Sequence, residues 1–411
     1  MSKYQSVRGT RDLLGKTKKT FRSIEHIAYE TAQNYGFQEI ETPIFEFSEI
    51  FHRAMGETSD AVSKETYTFK DRGDDSITLR PEGTAGVVRA YVSEGLAQNN
   101  PNKLYYYGPM FRYERPQKGR YRQFYQIGVE VLGLENPLAD VECIDLAYSI
   151  LKKLQLQNRC QLEINTLGDT ESRHNYRQAL VDFLTPLKSQ LSADSQVRLE
   201  KNPLRILDSK DENDRKLIAN APQMENYLSE TSKKFFETVL HGLTELNIPY
   251  KVNPKLVRGL DYYCHTVFEF VTTELGAQGA LLAGGRYDGL VETLGGAKTP
   301  GVGWASGVDR LTDLLESTMN LETRKPVSII TLGDKALTVG LKIARDLRAK
   351  NTYCEVFMTG NFKKKLEKAN KLQTEKAILI FEQENGSMEF KIKDFSTGTE
   401  TATTLEAIQK M

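Results

Sequence analysis

The residues best suited to chemistry lie between Tyr107 and Glu130. Arg112 ends one extended stretch there, and Phe124, Gln126, Gly128 and Glu130 take alternate positions of the next. Side chains alternate with period two in a strand, so those four share one face. That face presents an amide, a gap and a carboxylate in a row. A fixed guanidinium beside such acceptors suits a site that holds a phosphate against a small zwitterion. Two further arginines stand near glycine. Arg258 precedes Gly259, whose missing Cβ lets backbone pass close to a ligand, and Arg310 closes a run containing Gly301, Gly303, Ala305 and Gly307. Small residues at alternating positions also serve to pack a strand tightly on a helix, so that run alone is a weak phosphate signal.

These side chains need elements to hold them. Phe21, Ile24, Ala28, Thr31 and Tyr35 recur at helical spacing, and Gly36 follows as a C-cap. Residues 37–47 are strand-like but broken by Pro43, which suits a sheet edge or a subunit boundary. Asn136-Pro137 predicts an N-cap with proline at the first helical position, and Val141, Ile144, Tyr148 and Leu151 then form one apolar stripe. From Asp169 to Asn253 the chain is helical and polar, without catalytic motifs. After a linker at 323–326 the pattern predicts strands at 327–332, 354–358, 377–381 and 390–393, with helices at 337–349 and 362–372. Such alternation implies a small mixed α/β domain.

The chain has 411 residues, which favours two or three domains. Hydrophobic content of 39% and charged content of 27% fit a soluble globular protein. The net charge is zero, so any nucleic-acid surface must be local. Cys143, Cys160, Cys264 and Cys354 lie far apart and the histidines are scattered, so no metal-ligating residues are assigned. The cysteines read as reduced thiols. No apolar run reaches the length of a membrane span, and the polar start lacks a signal-peptide pattern. A cytoplasmic location is expected.

The run at 107–130 resembles motif 2 of the class II aminoacyl-tRNA synthetases, in the form found in the histidyl-tRNA synthetase family. Residues 76–84, 256–263, 283–290 and 301–310 are similar to that family's other blocks, in its order, and the helix–strand–proline pattern near residue 43 resembles motif 1. The resemblance spans most of residues 1–320 and continues more weakly to the C-terminus. It implies an α+β fold: an antiparallel sheet flanked by helices forms a catalytic domain over 1–325, with a helical insertion at about 170–253. A C-terminal mixed α/β anticodon-binding domain over 326–411 completes it. It also implies a homodimer that uses ATP with Mg²⁺ to activate L-histidine as histidyl-adenylate, then transfers it to histidine tRNA.

Roles follow from the same resemblance. Arg112 and Arg258 are the catalytic cations at the α-phosphate, and Arg310 binds ATP with them. Glu82, Gly83, Thr84 and Gln126 belong to the histidine site, where Glu82, Thr84 and Gln126 orient the α-ammonium. Glu130 and Tyr263 reach the imidazole, with Tyr262 nearby and Tyr287 closing the pocket. Gly284 and Gly285 leave room for a flat ring. A pocket built of such polar groups rejects other amino acids by about 10⁴ or more, because the wrong substrate leaves them unpaired. Glu82 has a second reading, as a carboxylate capping the helix that begins at Gly83-Thr84. Alternation turns only one of Tyr262 and Tyr263 toward the pocket. Asp309 stands where the family usually has Glu and receives no role.

Arg115 and Gln117 match tRNA-binding positions at the acceptor end. A second basic cluster, Lys363, Lys364, Lys365, Lys368 and Lys371, is either an RNA surface or a solvated helix face. The helical insertion either approaches the acceptor arm or is a spacer. The alternative to a ligase is a catalytically silent, histidine-sensing regulatory paralogue that partners ATP phosphoribosyltransferase. Retention of Arg112, Arg115, Gln117, Arg258 and a C-terminal α/β domain favours the ligase.

Overall fold

The computed structural model describes residues 4–56, 65–117, 119–258, 262–275, 279–316 and 324–410. The chain divides into two compact units, Met1–Met319 and Asn320–Met411.

The first unit opens with helix α1 (Gly15–Asn34), which ends where Gly36 takes the left-handed backbone at φ +80°. Strands β1 (Gln38–Glu39) and β2 (Phe45–Phe47), helix α2 (Ser48–Met55), strands β3 (Tyr67–Lys70) and β4 (Ser76–Leu79) and helix α3 (Thr84–Ser93) follow. The long hairpin of β5 (Asn102–Phe111) and β6 (Gln123–Leu132) comes next, then α4 (Leu138–Lys153) and β7 (Gln161–Thr166). Helices α5 (Thr170–Leu184), α6 (Ala193–Lys201), α7 (Glu212–Leu217) and α8 (Glu230–Glu245) lead to β8 (Tyr250–Val252). The unit closes with β9 (Cys264–Val271), β10 (Ala280–Arg286), α9 (Leu290–Thr293), β11 (Gly301–Gly307) and α10 (Val308–Leu315).

Eight strands form one sheet in the order β1-β5-β6-β11-β10-β9-β7-β8. Every internal pairing from β5 to β7 is antiparallel, and only the edge strands β1 and β8 pair in parallel. The fold class expected from the sequence is therefore observed. Alternation divides β6 as expected. Ile127, Val129 and Val131 are buried with Phe21, Ile24 and Ala28 of α1 and Ile144 of α4 on one face, each of the larger side chains stabilising the fold by roughly 1.5–3 kcal/mol. Phe124, Gln126, Gly128 and Glu130 are left for the other face. There Tyr106, Tyr263, Tyr287 and the α3 residues Val87 and Val88 form a second core. Trp304 of β11 is buried and donates Nε1–H to the Cys143 carbonyl of α4 at 2.9 Å, tying sheet to helix.

Two local expectations shift. Asn136 accepts from the Leu138 amide at 2.9 Å, but Pro137 stands just ahead of α4 and is not its first residue. Within the stretch 170–253, β8 joins the large sheet, and α8 buries Val239 and Leu243 in the main core. The helices between them keep small cores of their own, around Leu184, Leu199 and Ile206 and around Tyr176 and Leu180.

In the second unit, β12 (Val327–Leu332), α11 (Asp334–Ala349), β13 (Cys354–Val356), α12 (Phe362–Lys371), β14 (Lys376–Glu382), β15 (Met388–Asp394), β16 (Glu400–Thr403) and α13 (Leu405–Gln409) succeed one another. They build a five-stranded sheet ordered β13-β12-β14-β15-β16, parallel in its first three strands and antiparallel beyond. The basic cluster on α12 does not stay together. Lys363, Lys364, Lys368 and Lys371 are exposed, but Lys365 is buried and donates to the Thr331 carbonyl at 2.8 Å. Four residues from Ala369, it lies on the helix's inward face. Among the described residues no helix is long and apolar enough to cross a membrane.

Candidate active site

A cavity of about 240 Å³ opens on the face of the sheet that carries Gln126. Glu82, Thr84, Arg112, Gln126, Arg258, Tyr262, Tyr263, Tyr287 and Arg310 line it, so residues nearly 230 positions apart converge in one place. Glu130 lies under the same wall, fully buried.

Arginines gather at one end. Arg112, just past the end of β5, donates Nε–H to the Pro81 carbonyl at 2.8 Å and sits 5.3 Å over the Phe124 ring. Glu114 pairs with Arg120 at 3.0 Å and stands 3.8 Å from Arg112. Arg310 donates to the Ala280 carbonyl at 2.7 Å. Burial lowers its pKa, and so does repulsion from Arg120 and Arg112. Arg120 and Arg112 disfavour the Arg310 charge while Glu114 and Glu269 favour it, and the excess of positive charge at this end suits an anion. Arg258 stands apart, paired with Glu269 and 5.6 Å from the Tyr263 ring. Its loop is tied to β7, where the Asn165 amide donates to the Leu256 carbonyl at 3.0 Å. Gly259 lies outside the described residues.

The other end is buried and mostly aromatic. Glu130 accepts a short hydrogen bond from the Tyr287 hydroxyl, and burial pushes its carboxyl up to about 8. Oε1 of Glu130 and Oε1 of Gln126 have no hydrogen-bond partner among the described residues. Unpaired buried acceptors are uncommon and call for a donor. Tyr262 packs on Tyr263 at 4.5 Å and edge-on to Tyr287 at 5.6 Å. Both Tyr262 and Tyr263 line the cavity, contrary to the alternation expected of them, because β9 begins only at Cys264.

Glu82 performs the capping role. Its two oxygens accept from the Thr84 and Ala85 amides at 2.6 and 2.8 Å, at the start of α3. Burial raises its pKa against the pull of these amides and of Arg112. The cap fixes the carboxylate in the cavity wall, so capping and ligand contact are compatible.

The glycines have other duties than expected. A Cβ on Gly128 or Gly83 would meet the Tyr106 ring at 2.1 or 2.2 Å, so this ring fills the gap foreseen beside Gln126. Gly284 yields to the backbone of β11, and Gly285 to Tyr263 at 2.9 Å, so neither leaves space for a ligand ring. A Cβ on Gly303 would strike the Glu130 carboxylate, and one on Gly301 the Tyr287 ring. The Gly-rich run thus makes room for the pocket's own polar groups. Arg115 and Gln117 are exposed on the hairpin loop and do not line the cavity. Lys118 lies outside the described residues.

Three residues went unassigned in the sequence. Arg120 was one basic residue among five in the loop, and only its pairing with Glu114 sets it apart. Tyr106 was one tyrosine of three in a row. Arg286, next to Tyr287 in the chain, is fully buried, 3.1 Å from the equally buried Asp140. Asp309 accepts from Arg11 at 2.7 Å and from the Tyr125 amide at 2.9 Å.

The family profile described as Histidyl-tRNA synthetase matches residues 9–311. The histidine–tRNA ligase of Rhodospirillum rubrum is 49% identical over 410 residues, covering 100% of this chain and 99% of that protein. That of Gluconacetobacter diazotrophicus is 48% identical over 408 residues, covering 99% and 98%. The crystal structure of apo S. aureus histidyl-tRNA synthetase superposes with a TM-score of 0.82 at 37% identity, covering 99% of each chain.

Proposed function

This chain belongs to the histidyl-tRNA synthetase family, and from that premise we propose how its cavity divides the work. Its activity is that of a histidine–tRNA ligase: ATP activates histidine, and the histidyl group is joined to tRNA. The observation that carries the assignment of roles is the cavity's two unlike ends.

Histidine lies at the buried end. Its ring N–H donates to Glu130 Oε1, and Tyr287 holds the other oxygen of that carboxyl. Its ammonium is received by Gln126 Oε1 and by the outer faces of Glu82 and Thr84, while Tyr262 and Tyr263 enclose the ring. ATP lies toward the arginines. Arg112 and Arg258 flank the α-phosphate, where negative charge grows as the carboxylate attacks, and fixed cations stabilise that charge. Arg310, with Arg120, takes the far phosphates. The attacking carboxylate oxygen forms the new P–O bond and pyrophosphate leaves with the electrons of the broken one. The 3′-terminal ribose hydroxyl of the tRNA then displaces AMP.

Mg²⁺ enters with ATP as part of the substrate. The cavity's carboxylates are otherwise engaged: Glu82 with amides, Glu114 with Arg120, Glu269 with Arg258 and Asp309 with Arg11. Among the described residues they do not assemble an ion site.

Arg115 and Gln117, exposed beside the entrance, are assigned to the tRNA acceptor end, and the C-terminal unit to the anticodon, supported by the exposed lysines of α12. A homodimer is supported by Ile44, Phe45, Phe47 and Phe69, each more than two-fifths exposed around the small sheet β2-β4-β3.

The test is amino-acid-dependent ATP–pyrophosphate exchange. Exchange with histidine alone supports the two-ended cavity. Histidine binding without exchange turns the reading to the silent regulatory paralogue.

A further inference from the structure

The segment ahead of α1 reaches the arginine end of the cavity without lining it. Its Gly9 carbonyl accepts from the Arg122 amide at 2.7 Å, and the Arg122 carbonyl accepts from the Arg112 amide at 2.9 Å. Three pieces of chain are thus laid side by side at the root of the hairpin loop. Gly9 has φ +87°, and a Cβ there would press on the Arg122 side chain at 2.8 Å and on Pro116 at 3.0 Å, so the approach requires glycine.

Two residues on, the Arg11 guanidinium joins elements far apart in sequence. Nη2 donates to Asp309 Oδ1 at 2.7 Å, and Nη1 donates to the Tyr121 hydroxyl at 2.9 Å. The guanidinium carbon lies 4.0 Å over the Tyr121 ring. The other oxygen of Asp309 holds the Tyr125 amide at the start of β6. Asp309 immediately precedes Arg310, and Tyr121 follows Arg120. Arg11 therefore clamps the return arm of the loop to the first turn of α10, and the arginines of the anion site hang on both sides of that clamp. Arg112 and Arg120 disfavour the Arg310 charge, and their geometry is held by neighbours: the Pro81 and Ala280 carbonyls, Glu114 and this clamp.

We infer that Arg11 is a positioning residue for the nucleotide end of the site, acting through Asp309 and Tyr121. The inference rests on the assignment of ATP to the arginines. That assignment puts histidine at the other, buried end of the cavity, so the effect of losing Arg11 falls on ATP.

Arg11→Ala is tested in histidine-dependent ATP–pyrophosphate exchange, varying each substrate in turn, with histidine binding followed by calorimetry. The expected result is a KM for ATP raised about tenfold or more, a displacement of catalytic groups being enough for such losses. The KM and Kd for histidine stay within about twofold of wild type. Arg11→Lys keeps the charge opposite Asp309 but loses the planar stack and the second donor, and recovers part of the ATP affinity. Equal loss toward both substrates in both variants, or an unchanged KM for ATP in Arg11→Ala, overturns the inference. If Arg11→Ala fails to fold, Arg11→Lys and Asp309→Asn decide by the same split. If the wild-type chain shows no histidine-dependent exchange, it is the assignment of the site that fails.

Discussion

The two ends of the cavity are built on opposite principles. At the histidine end, each polar group is set by burial: Glu130 is fully enclosed, Glu82 is fixed by two amides, and the tyrosines shield both. At the nucleotide end, Arg112 and Arg120 keep about three-tenths of their side-chain surface, and they meet a neighbour of like charge. Desolvation makes the first end selective, because an unmatched ligand strands buried acceptors. Concentrated charge, met only in part by Glu114, makes the second end responsive to a polyanion.

The largest effect that can break this contrast is expected from Arg112→Ala and Arg258→Ala. Each should lower kcat for pyrophosphate exchange by roughly 10²–10³, the loss typical of a preorganised charge donor, while histidine binding measured by equilibrium dialysis changes little. A parallel collapse of histidine binding would mean that the ends are not separate. Glu130→Ala works from the other side. It should reduce kcat/KM for histidine roughly 10²-fold and leave the KM for ATP near wild type, as read from exchange with each substrate varied. If histidine is still preferred over other amino acids as strongly as before, Glu130 is not the ring's partner. Arg120→Ala should raise the KM for ATP about tenfold, the worth of one charged hydrogen bond; no change would remove it from the anion site.

The last prediction sharpens the contrast through pH. Burial carries Glu130 from its ordinary 4.5 to about 8, so the folded state keeps a proton that the unfolded chain releases across that interval. Wild-type protein should therefore lose stability relative to Glu130→Gln as pH rises from about 4.5 to about 8, with a constant difference outside that window. Thermal melts of the two proteins across this range check it. Melting curves that stay parallel would show that Glu130 is solvated.

Much of this was legible in the sequence where periodicity governs. The alternation in β6 sorted Ile127, Val129 and Val131 from Gln126 and Glu130, and the strand–helix succession after residue 326 read correctly because α11 and α12 are amphipathic and β12 and β14 are short apolar runs buried on both faces. Two short C-terminal elements, β16 and α13, carry too few residues to show a period. What stayed hidden was set by distant partners. Nothing near Gly128 tells that Tyr106 fills it, and nothing near Gly303 tells that Glu130 does. Asp309 looked idle because its partner lies 298 residues away. The inward turn of Lys365 was readable, since it shares a helix face with Ala369, but charge drew attention to the lysines as a group.

Trp304 has a consequence for how the molecule can be watched. It is the chain's 1 tryptophan, and it sits in the core between sheet and helices with its indole bonded to α4. Long-wavelength protein emission therefore originates at one point of the first unit and at none of the second. On denaturant titration, fluorescence follows the loss of that core, while far-ultraviolet circular dichroism weighs the helices of both units. Coincident transitions mean that the units melt together, and separated ones give each its own unfolding free energy.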